Sequence, residues 1–322
     1  MAGDQLFELR RRTFDTPSFR GIEFIEVEAK SIINHVPGSY LPFNWTINPY
    51  RGCSHACSYC FARSTHTYMD MDAGRDFETK IVVKVNAPDR LRRELRAKRW
   101  KGDHIAMGTA TDPYQRAEGR YKLMPRIIEA LAEVANPFSI LTKGTLILRD
   151  FDLLVDAARR CEISTAFSIA TLDETVWRRS EPGTPHPCKR MEAVAKLNEA
   201  GIPCGVMVAP VLPGISDSPD QLRAVVSAAL DAGATHVSPI LLHLRPGVKE
   251  VYMRWLQDNY PELVQRHRSM YSKNAYAAQE DRNALGDQVR DLVAARAPKL
   301  RSAPRLARKV EPEVEAEQLR LI

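Results

Sequence analysis

Residues 48–63 read Asn48-Pro49-Tyr50-Arg51-Gly52-Cys53-Ser54-His55-Ala56-Cys57-Ser58-Tyr59-Cys60-Phe61-Ala62-Arg63. Three cysteines, Cys53, Cys57 and Cys60, lie in this segment, with three residues and then two between consecutive thiols. A loop this short can turn three thiolates toward one point, and soft thiolate ligands favour iron–sulfur clusters, zinc or copper. The spacing therefore predicts a metal site.

The kind of metal site remains open at this point. Structural zinc usually takes four protein ligands. A zinc site would need His55 or His66 as its fourth ligand, because the sequence contains no second C-x2-C or H-x3-H pair. A four-iron cluster held by three cysteines would instead keep one iron free of protein ligands. Reduced structural thiols are a third interpretation.

Composition limits the class of protein. The chain has 322 residues, of which 44% are hydrophobic, enough for one large α/β domain or two small ones. No run approaches the roughly 20 apolar residues of a membrane helix, and the N-terminus is charged rather than signal-like. The other cysteines, Cys161, Cys188 and Cys204, lack the spacing of a disulfide framework. We expect a cytoplasmic protein without membrane association.

The net charge of +6 permits a polyanionic partner without requiring one. Basic residues gather at 10–12, at 90–101 and again at 299–309. Each of these runs is also typical of a solvated surface.

Strand-like and helix-like patterns alternate along the chain. Six barrel strands are predicted at residues 43–48, 104–111, 138–142, 164–170, 204–211 and 236–244, with an additional extended segment at 80–85. Helices are predicted at 88–100, 124–134, 150–160, 171–179, 188–200 and 218–232, and three more at 249–259, 261–271 and 279–295. Such alternation predicts a parallel sheet, which right-handed crossovers curl into a barrel or part of one.

The predicted organisation has three parts. Residues 1–40 wrap the outside of the domain, residues 41–296 form the barrel with its C-terminal helices, and residues 297–322 form a disordered tail. The tail prediction rests on its prolines and on a switch from basic to acidic residues.

Residues at the carboxyl ends of barrel strands would face the cysteine loop. The candidates at these ends are Thr111, Asp112, Tyr114, Lys143, Ser168 and Thr171. Four of them have a simpler interpretation. Asp112 before proline is a turn former, Lys143 can solvate a strand exit, and Ser168 and Thr171 can fill the barrel.

The cysteine segment resembles that of the radical S-adenosylmethionine (radical SAM) superfamily. The resemblance implies a 4Fe–4S cluster held by Cys53, Cys57 and Cys60, whose free iron chelates SAM. It also implies a partial (β/α)6 TIM-type barrel, an α/β fold with an open side for substrate. Tyr59, the aromatic residue before the third cysteine, matches the position that packs near the adenine, or it simply packs against the loop.

Within the superfamily the chain is most similar to the spore photoproduct lyase-like group, in particular to an uncharacterised actinobacterial-type branch. The matching segments are Asn48-Pro49-Tyr50-Arg51-Gly52-Cys53, Thr111-Asp112-Pro113-Tyr114-Gln115, Leu141-Thr142-Lys143 with Arg149-Asp150, Glu181-Pro182 and Ala209-Pro210-Val211-Leu212-Pro213. The resemblance implies that Lys143 binds the SAM carboxylate and that a hydroxyl near Ser168 meets the ribose. Glu181 would pair with Arg178 or Arg190 if it does not touch a ligand.

One departure from that group concerns the reaction. Spore photoproduct lyase carries a cysteine just after its second strand, which returns a hydrogen atom to the product radical. This chain has Thr109-Ala110-Thr111 there. Either another group such as Tyr114 quenches the radical or the reaction ends differently, and thymine-dimer repair is not implied.

Expected partners follow from the same features. The resemblance implies a reductant such as flavodoxin or ferredoxin, and the basic runs favour DNA or another nucleic acid. The C-terminal residues Gln318, Leu319, Leu321 and Ile322 resemble the peptide that docks bacterial repair proteins on the DNA sliding clamp. The rival hypothesis is a non-enzymatic zinc or iron–sulfur protein that binds nucleic acid.

Overall fold

A computed structural model describes residues 10–17, 19–37, 41–298 and 300 of the 322. The strands are β1 (Arg10–Thr13), β2 (Glu23–Val27), β3 (Ile33–His35), β4 (Trp45–Ile47), β5 (Tyr50–Arg51), β6 (Lys80–Lys84), β7 (Ile105–Met107), β8 (Phe138–Thr142), β9 (Ile163–Ser168), β10 (Cys204–Val211) and β11 (Val237–Leu241). The α-helices are α1 (Arg75–Thr79), α2 (Ala87–Leu95), α3 (Arg116–Tyr121), α4 (Leu123–Glu133), α5 (Phe151–Ala158), α6 (Glu174–Ser180), α7 (Pro187–Glu199), α8 (Pro219–Asp231), α9 (Val248–Asn259), α10 (Val264–Met270) and α11 (Gln279–Arg296). Short 3-10 helices cover Phe61–Met69, Thr145–Asp150 and Pro261–Leu263.

The main sheet contains the six predicted barrel strands. Its order is β11-β10-β9-β8-β7-β4-β3, and every pair from β4 to β11 is parallel, whereas β3 is antiparallel to β4. In the described part of the chain, β3 and β11 do not pair with each other, so the sheet stays open. The prediction of an α/β fold with a partial barrel is confirmed.

The two faces of this sheet differ in burial. In β8 the buried Phe138 and Ile140 belong to the main apolar core, while Ser139 and Leu141, which alternate with them along the strand, are half-buried. The same alternation recurs in β9. Because the core residues of the covering helices pack on one face, the half-exposed residues line the inner face of the barrel. This inner face is accessible to solvent.

A second sheet has the order β1-β2-β6-β5. Its strands β5 and β6 come between β4 and β7 in the sequence, whereas β1 and β2 come before β4. The extended segment predicted at 80–85 forms β6, which pairs with β2 in parallel and with β5 in antiparallel orientation. The N-terminal strands β1 and β2 thus complete a sheet beside the barrel.

The C-terminal helices enclose the cysteine loop. Tyr252 and Leu256 of α9 and Val264 of α10 share a second apolar cluster with Cys57 and Tyr59. Helix α11 packs its buried residues against the edge strand β11 and against α8. The loop is therefore held between the barrel and these helices.

None of the helices in the described part of the chain combines the length and the apolar composition that crossing a bilayer requires. Residues 299 and 301–322 lie outside the described residues. They include the predicted clamp peptide, all the basic residues of the C-terminal run and nearly all of the predicted tail.

Candidate active site

The cysteine loop begins at a glycine that admits no side chain. Gly52 has a φ of 79°, and a Cβ there would lie 2.9 Å from the carbonyl oxygen of Phe77. The next amide, that of Cys53, donates to the same Phe77 oxygen at 2.9 Å. This close approach of two backbone segments fixes the position of Cys53, the first cysteine of the loop.

Side chains from the end of β7 hold the loop on its other side. Thr111 Oγ1 donates to the Gly52 carbonyl oxygen at 2.7 Å, and Gln115 Nε2 donates to the same oxygen at 2.8 Å. The Gln115 Oε1 atom accepts from the Ser54 amide at 3.0 Å. Both side chains are buried. Thr111 therefore positions the cysteine loop.

Arg63 organises the far end of the loop. This guanidinium is fully buried and donates from Nε and Nη2 to the Cys57 carbonyl oxygen at 3.0 and 2.8 Å. It also donates to the carbonyl oxygens of Ala73 and Gly74, both at 3.0 Å, and to Glu78. A single forked side chain thereby ties the loop to the segment before α1.

The three thiols are close enough to influence one another. Burial raises the pKa of Cys53 well above its usual value, and Asp112 and the thiols Cys60 and Cys57 raise it further. Burial likewise raises the pKa of Cys57 and of Cys60. Thiolates in this setting need positive charge beside them, which a metal centre supplies.

The three cysteines are a donor set that an iron–sulfur cluster uses. Among the described residues, no three His, Cys, Asp or Glu side chains are grouped closely enough to enclose one metal ion. In a four-iron cluster each cysteine binds a different iron, so the three thiols need not converge on one atom. The loop of Cys53, Cys57 and Cys60 offers one thiol for each of three irons.

Both histidines considered as a fourth zinc ligand have partners in the protein. His55 is buried, with Nδ1 3.4 Å from an Asp112 carboxylate oxygen. His66 Nε2 lies 2.9 Å from the Lys80 carbonyl oxygen, and its ring packs edge-on against Phe77. These contacts give the two rings structural roles around the loop.

A polar cluster from three strand ends lies beside the loop. Lys143 Nζ donates to Ser168 Oγ at 2.7 Å and to Glu181 Oε1 at 3.0 Å. The Tyr59 hydroxyl donates to the same Glu181 oxygen, and Lys143 Nζ lies 5.6 Å from the centre of the Tyr59 ring. Ser168 Oγ in turn donates to the Ala209 carbonyl oxygen at 2.6 Å. Tyr59, Lys143 and Ser168 thus come together as predicted candidates.

Arg190 fixes the carboxylate at the centre of this cluster. It is fully buried and donates to Glu181 and, at 2.8 Å, to the Ser168 carbonyl oxygen. Burial opposes the charge of Glu181, but the charges of Arg190 and Lys143 outweigh it, and the pKa of Glu181 lies well below its usual value. Glu181 thus pairs with Arg190, whereas Arg178 pairs with Glu174.

Asp112 links the loop to the end of β8. Its Oδ1 accepts from Thr142 Oγ1 at 2.6 Å and its Oδ2 from the Lys143 amide at 2.6 Å. Burial raises the pKa of this carboxyl, but His55, Thr142 and the Lys143 amide lower it more, so its net shift is downward. Asp112 orients the backbone that carries Lys143.

The remaining two candidates make contacts of a structural kind. Thr171 Oγ1 accepts from the Asp173 amide at 3.0 Å, in the turn before α6. The buried Tyr114 hydroxyl donates to Asp150 Oδ2 at 3.1 Å, and Arg149 joins Asp150 to the buried Glu118. The role of Tyr114 as a hydrogen donor remains a prediction.

Sequence analysis assigns no role to two buried residues of this site, Arg63 and Gln115. Arg63 ends the cysteine segment and Gln115 ends the matching segment that begins at Thr111, so their place in those segments was an available signal. Arg190 and Arg178 were both candidate partners of Glu181, and only the fold brings α7 beside that carboxylate.

Comparison with known proteins agrees with this geometry. The Radical SAM superfamily profile matches residues 47–225, which include the cysteine loop and the strand ends around it. An uncharacterized protein of Mycobacterium tuberculosis is 48% identical over 284 residues, covering 88% of this chain and 84% of that protein. The radical SAM Nalpha-GlyT isomerase of Pseudomonas phage M6 is 24% identical over 235 residues, covering 72% of this chain and 46% of that protein.

A solved structure of a spore photoproduct lyase mutant with bound S-adenosylmethionine and dinucleoside spore photoproduct has the same fold. Its TM-score is 0.62 at 16% identity, and the match covers 90% of this chain and 86% of that one. The match to the Radical SAM superfamily gives the cofactors as a 4Fe–4S cluster and S-adenosylmethionine, as the resemblance implies. The chain belongs to the radical SAM superfamily.

Proposed function

We propose that this enzyme cleaves S-adenosylmethionine reductively at a 4Fe–4S cluster held by Cys53, Cys57 and Cys60 and acts on a nucleic acid. The observation that carries the proposal is that the three thiols share one largely buried loop at the mouth of an open barrel. When bound, the cluster supplies the electron that breaks a carbon–sulfur bond of SAM to give the 5'-deoxyadenosyl radical.

The polar cluster around Lys143 has the charges to hold the amino-acid end of SAM. The Lys143 ammonium is mostly buried yet paired with Glu181, so a ligand carboxylate would meet a cation already fixed in place. Arg190 keeps Glu181 charged and immobile while Lys143 turns to the ligand. Ser168 and Tyr59 stand beside them, where they would contact the nucleoside part.

Thr111, Asp112 and Thr171 support this site without facing the ligand. Thr111 and Asp112 direct their hydrogen bonds to the loop and to the end of β8. Thr171 stabilises the turn before α6. We propose that they position the cofactor-binding residues.

A nucleic acid is the substrate class that we infer from the solved lyase with this fold, which carries a dinucleoside photoproduct. The basic run at residues 90–101 adds partial support, because ion pairs offset part of its charge. Arg92 lies 3.3 Å from Glu133, and Arg90 lies 3.5 Å from Glu94.

The reaction after radical formation differs from that of spore photoproduct lyase. The residue position after β7 carries Thr109, whose Oγ1 accepts from Asn48 Nδ2 at 3.1 Å. Among the described residues outside the loop, the thiols are Cys161 in the turn after α5, Cys188 in α7 and Cys204 in β10. We therefore do not assign thymine-dimer repair to the chain.

Two partner predictions accompany the proposal. Radical SAM enzymes need a reductant, for which flavodoxin or ferredoxin is our candidate. Docking on a sliding clamp through Gln318, Leu319, Leu321 and Ile322 remains a prediction from the sequence. The non-enzymatic rival is not favoured by membership in this superfamily.

Anaerobic reconstitution with iron and sulfide tests the proposal. We expect a 4Fe–4S spectrum that changes when SAM is added, and release of 5'-deoxyadenosine after chemical reduction. Cys57→Ala should abolish both signals because it removes one of three cluster ligands. Cys188→Ala, at an exposed thiol outside the loop, is the matched control and should retain both.

Two results would contradict the proposal. One is stoichiometric zinc with no cleavage of SAM. The other is an intact cluster and normal 5'-deoxyadenosine release in the Cys57→Ala variant, which would refute the ligand assignment.

A further inference from the structure

A row of aromatic rings joins the cysteine loop to the segment that follows β11. The Phe61 ring lies 5.7 Å from that of His243, and His243 lies 5.2 Å from Tyr276 with only 18° between their planes. The Arg282 guanidinium carbon lies 5.6 Å from the centre of the Tyr276 ring. We call Phe61, His243, Tyr276 and Arg282 the aromatic row.

The aromatic row connects the two ends of the parallel sheet. Phe61 directly follows Cys60 and begins the 3-10 helix Phe61–Met69, and His243 lies two residues beyond the end of β11. Strands β4 and β11 are the first and last parallel strands of the sheet, so the row joins the segments that follow these two strands. Since it lies at the carboxyl ends of both strands, it is next to the cofactor loop.

The backbone holds these rings in place. His243 and Tyr276 form an antiparallel bridge, and the Leu244 amide donates to the Ala275 carbonyl oxygen at 2.7 Å. The buried Tyr271 hydroxyl donates to the Leu242 carbonyl oxygen at 2.8 Å. Rings fixed by backbone pairing lose little conformational freedom when a ligand stacks on them.

Part of this surface is accessible. Phe61 is 40% exposed, although it adjoins a largely buried loop, and His243, Tyr276 and Arg282 are each only partly buried. Two exposed cations, Arg245 and Lys273, lie close to the row along the chain. Flat rings with neighbouring positive charge are the features on which proteins stack bases and hold the phosphates between them.

We propose that the aromatic row is a stacking platform for an unpaired nucleobase, so that the substrate binds as a single strand or with one base flipped out. The inference rests on the proposed function and specifies its substrate class. A duplex keeps its bases stacked on each other, and a base must leave the stack to reach a buried site. A peptide offers a continuous series of planar rings far less often than a nucleic acid does.

Fluorescence anisotropy with the reconstituted protein tests the platform. The probes are short labelled oligonucleotides of one sequence, offered as single-stranded DNA, single-stranded RNA and DNA duplex. We expect a single strand to bind more tightly than the duplex. The difference in affinity between the single-stranded DNA and the single-stranded RNA tells which nucleic acid supplies the base. Tyr276→Ala should weaken single-strand binding roughly tenfold, since a base–aromatic stack contributes that much.

Two further variants control the experiment. Tyr276→Phe keeps the ring and should bind within about twofold of the parent protein. Tyr68→Ala removes another exposed ring, at 51% exposure, from the same 3-10 helix as Phe61 and should leave binding unchanged.

The outcomes separate this inference from the proposed function. Equal affinities of the parent, Tyr276→Ala and Tyr276→Phe proteins would overturn the platform, even if binding by charge remained. Absence of oligonucleotide binding by a protein that still releases 5'-deoxyadenosine would overturn a nucleic-acid substrate while leaving SAM cleavage intact. Failure to release 5'-deoxyadenosine would count against the proposed function alone.

Discussion

At the scale of single residues, Arg63 has the largest structural role in the cysteine loop. It is fully buried, and its fork reaches three carbonyl oxygens as well as Glu78. One of those oxygens belongs to Cys57, a proposed cluster ligand. Because buried carbonyls without a donor are costly, the loop keeps its shape only while this guanidinium is present.

Replacement of Arg63 tests that role. Arg63→Ala should lower the free energy of unfolding of the cluster-free protein by about 3–5 kcal/mol, since Glu78 and the carbonyl oxygens lose their partner. The iron bound per protein after reconstitution should fall as well. Arg63→Lys should recover only part of both, because an ammonium cannot replace the fork.

The measurements for Arg63 are urea unfolding by circular dichroism and iron analysis. Arg178→Ala, at an exposed arginine paired with Glu174, is the control and should change stability by less than about 1 kcal/mol. If the Arg63→Lys variant matched the parent protein in both assays, a positive charge alone would be sufficient to hold the loop, and the forked shape of the guanidinium would not be required.

At the scale of elements, the connection between α6 and α7 braces the cysteine loop. The Ser58 amide donates to the Ser180 carbonyl oxygen at 2.9 Å, and the Gly183 amide donates to that of His55 at 3.0 Å. Glu181 projects from the same connection into the polar cluster. Two loops distant in sequence are therefore joined backbone to backbone, which aligns the proposed SAM-binding residues with the cysteine loop.

Gly183→Ala should separate these loops. A Cβ at this position would lie 2.3 Å from the Ser54 carbonyl oxygen, a distance that only backbone movement can relieve. We expect less iron per protein after reconstitution and weaker binding of SAM, measured by iron analysis and equilibrium dialysis. Gly286→Ala in α11 is the matched control.

The control works because Gly286 lies in a helix, and a Cβ added there would have nothing within 4 Å. That substitution should leave iron content unchanged and stabilise the protein by about 0.5–1 kcal/mol. Identical iron content and SAM affinity in the Gly183→Ala and parent proteins would contradict the bracing role.

At the scale of the whole molecule, an open barrel leaves an edge that other elements must cover. Strand β11 ends the parallel sheet, and α11 packs beside it through the buried Leu285, Val289 and Val293. Their four-residue spacing puts all three on one face of the helix. Helices α9 and α10 cover the cysteine loop in the same way. The C-terminal helices thus complete the barrel.

Val289→Asp tests this completion. Burying a carboxylate where Val289 is only 1% exposed should lower the free energy of unfolding by about 3–5 kcal/mol, through lost apolar contacts and an unpaired charge. Urea unfolding measures the change. Ala294→Asp, on the exposed side of the same helix, should cost less than about 1 kcal/mol. Equal losses in the two variants would show that α11 is not part of the cooperative core.

Features that depend on neighbouring residues could be predicted from the sequence. The spacing of Cys53, Cys57 and Cys60 indicates a metal site because so few residues separate the thiols. The alternation of strands and helices predicts a parallel sheet, and each strand or helix is recognised from the spacing of apolar residues within its own segment. The same local pattern predicts that residues 80–85 are extended, but their place in the second sheet depends on β2 and β5, which lie elsewhere in the chain.

The sequence by itself therefore determined the metal-site loop and the order of the elements, since these follow from short-range spacing and pattern, and the superfamily followed from the resemblance of its segments to a known family. Only the tertiary structure decided that Glu181 pairs with Arg190 and Lys143 rather than with Arg178, and that the Phe61 ring lies against that of His243. Each of these contacts joins residues from separate strands or loops. Curling of the sheet brings them together, and no local pattern encodes which of several charged or aromatic partners will then be nearest.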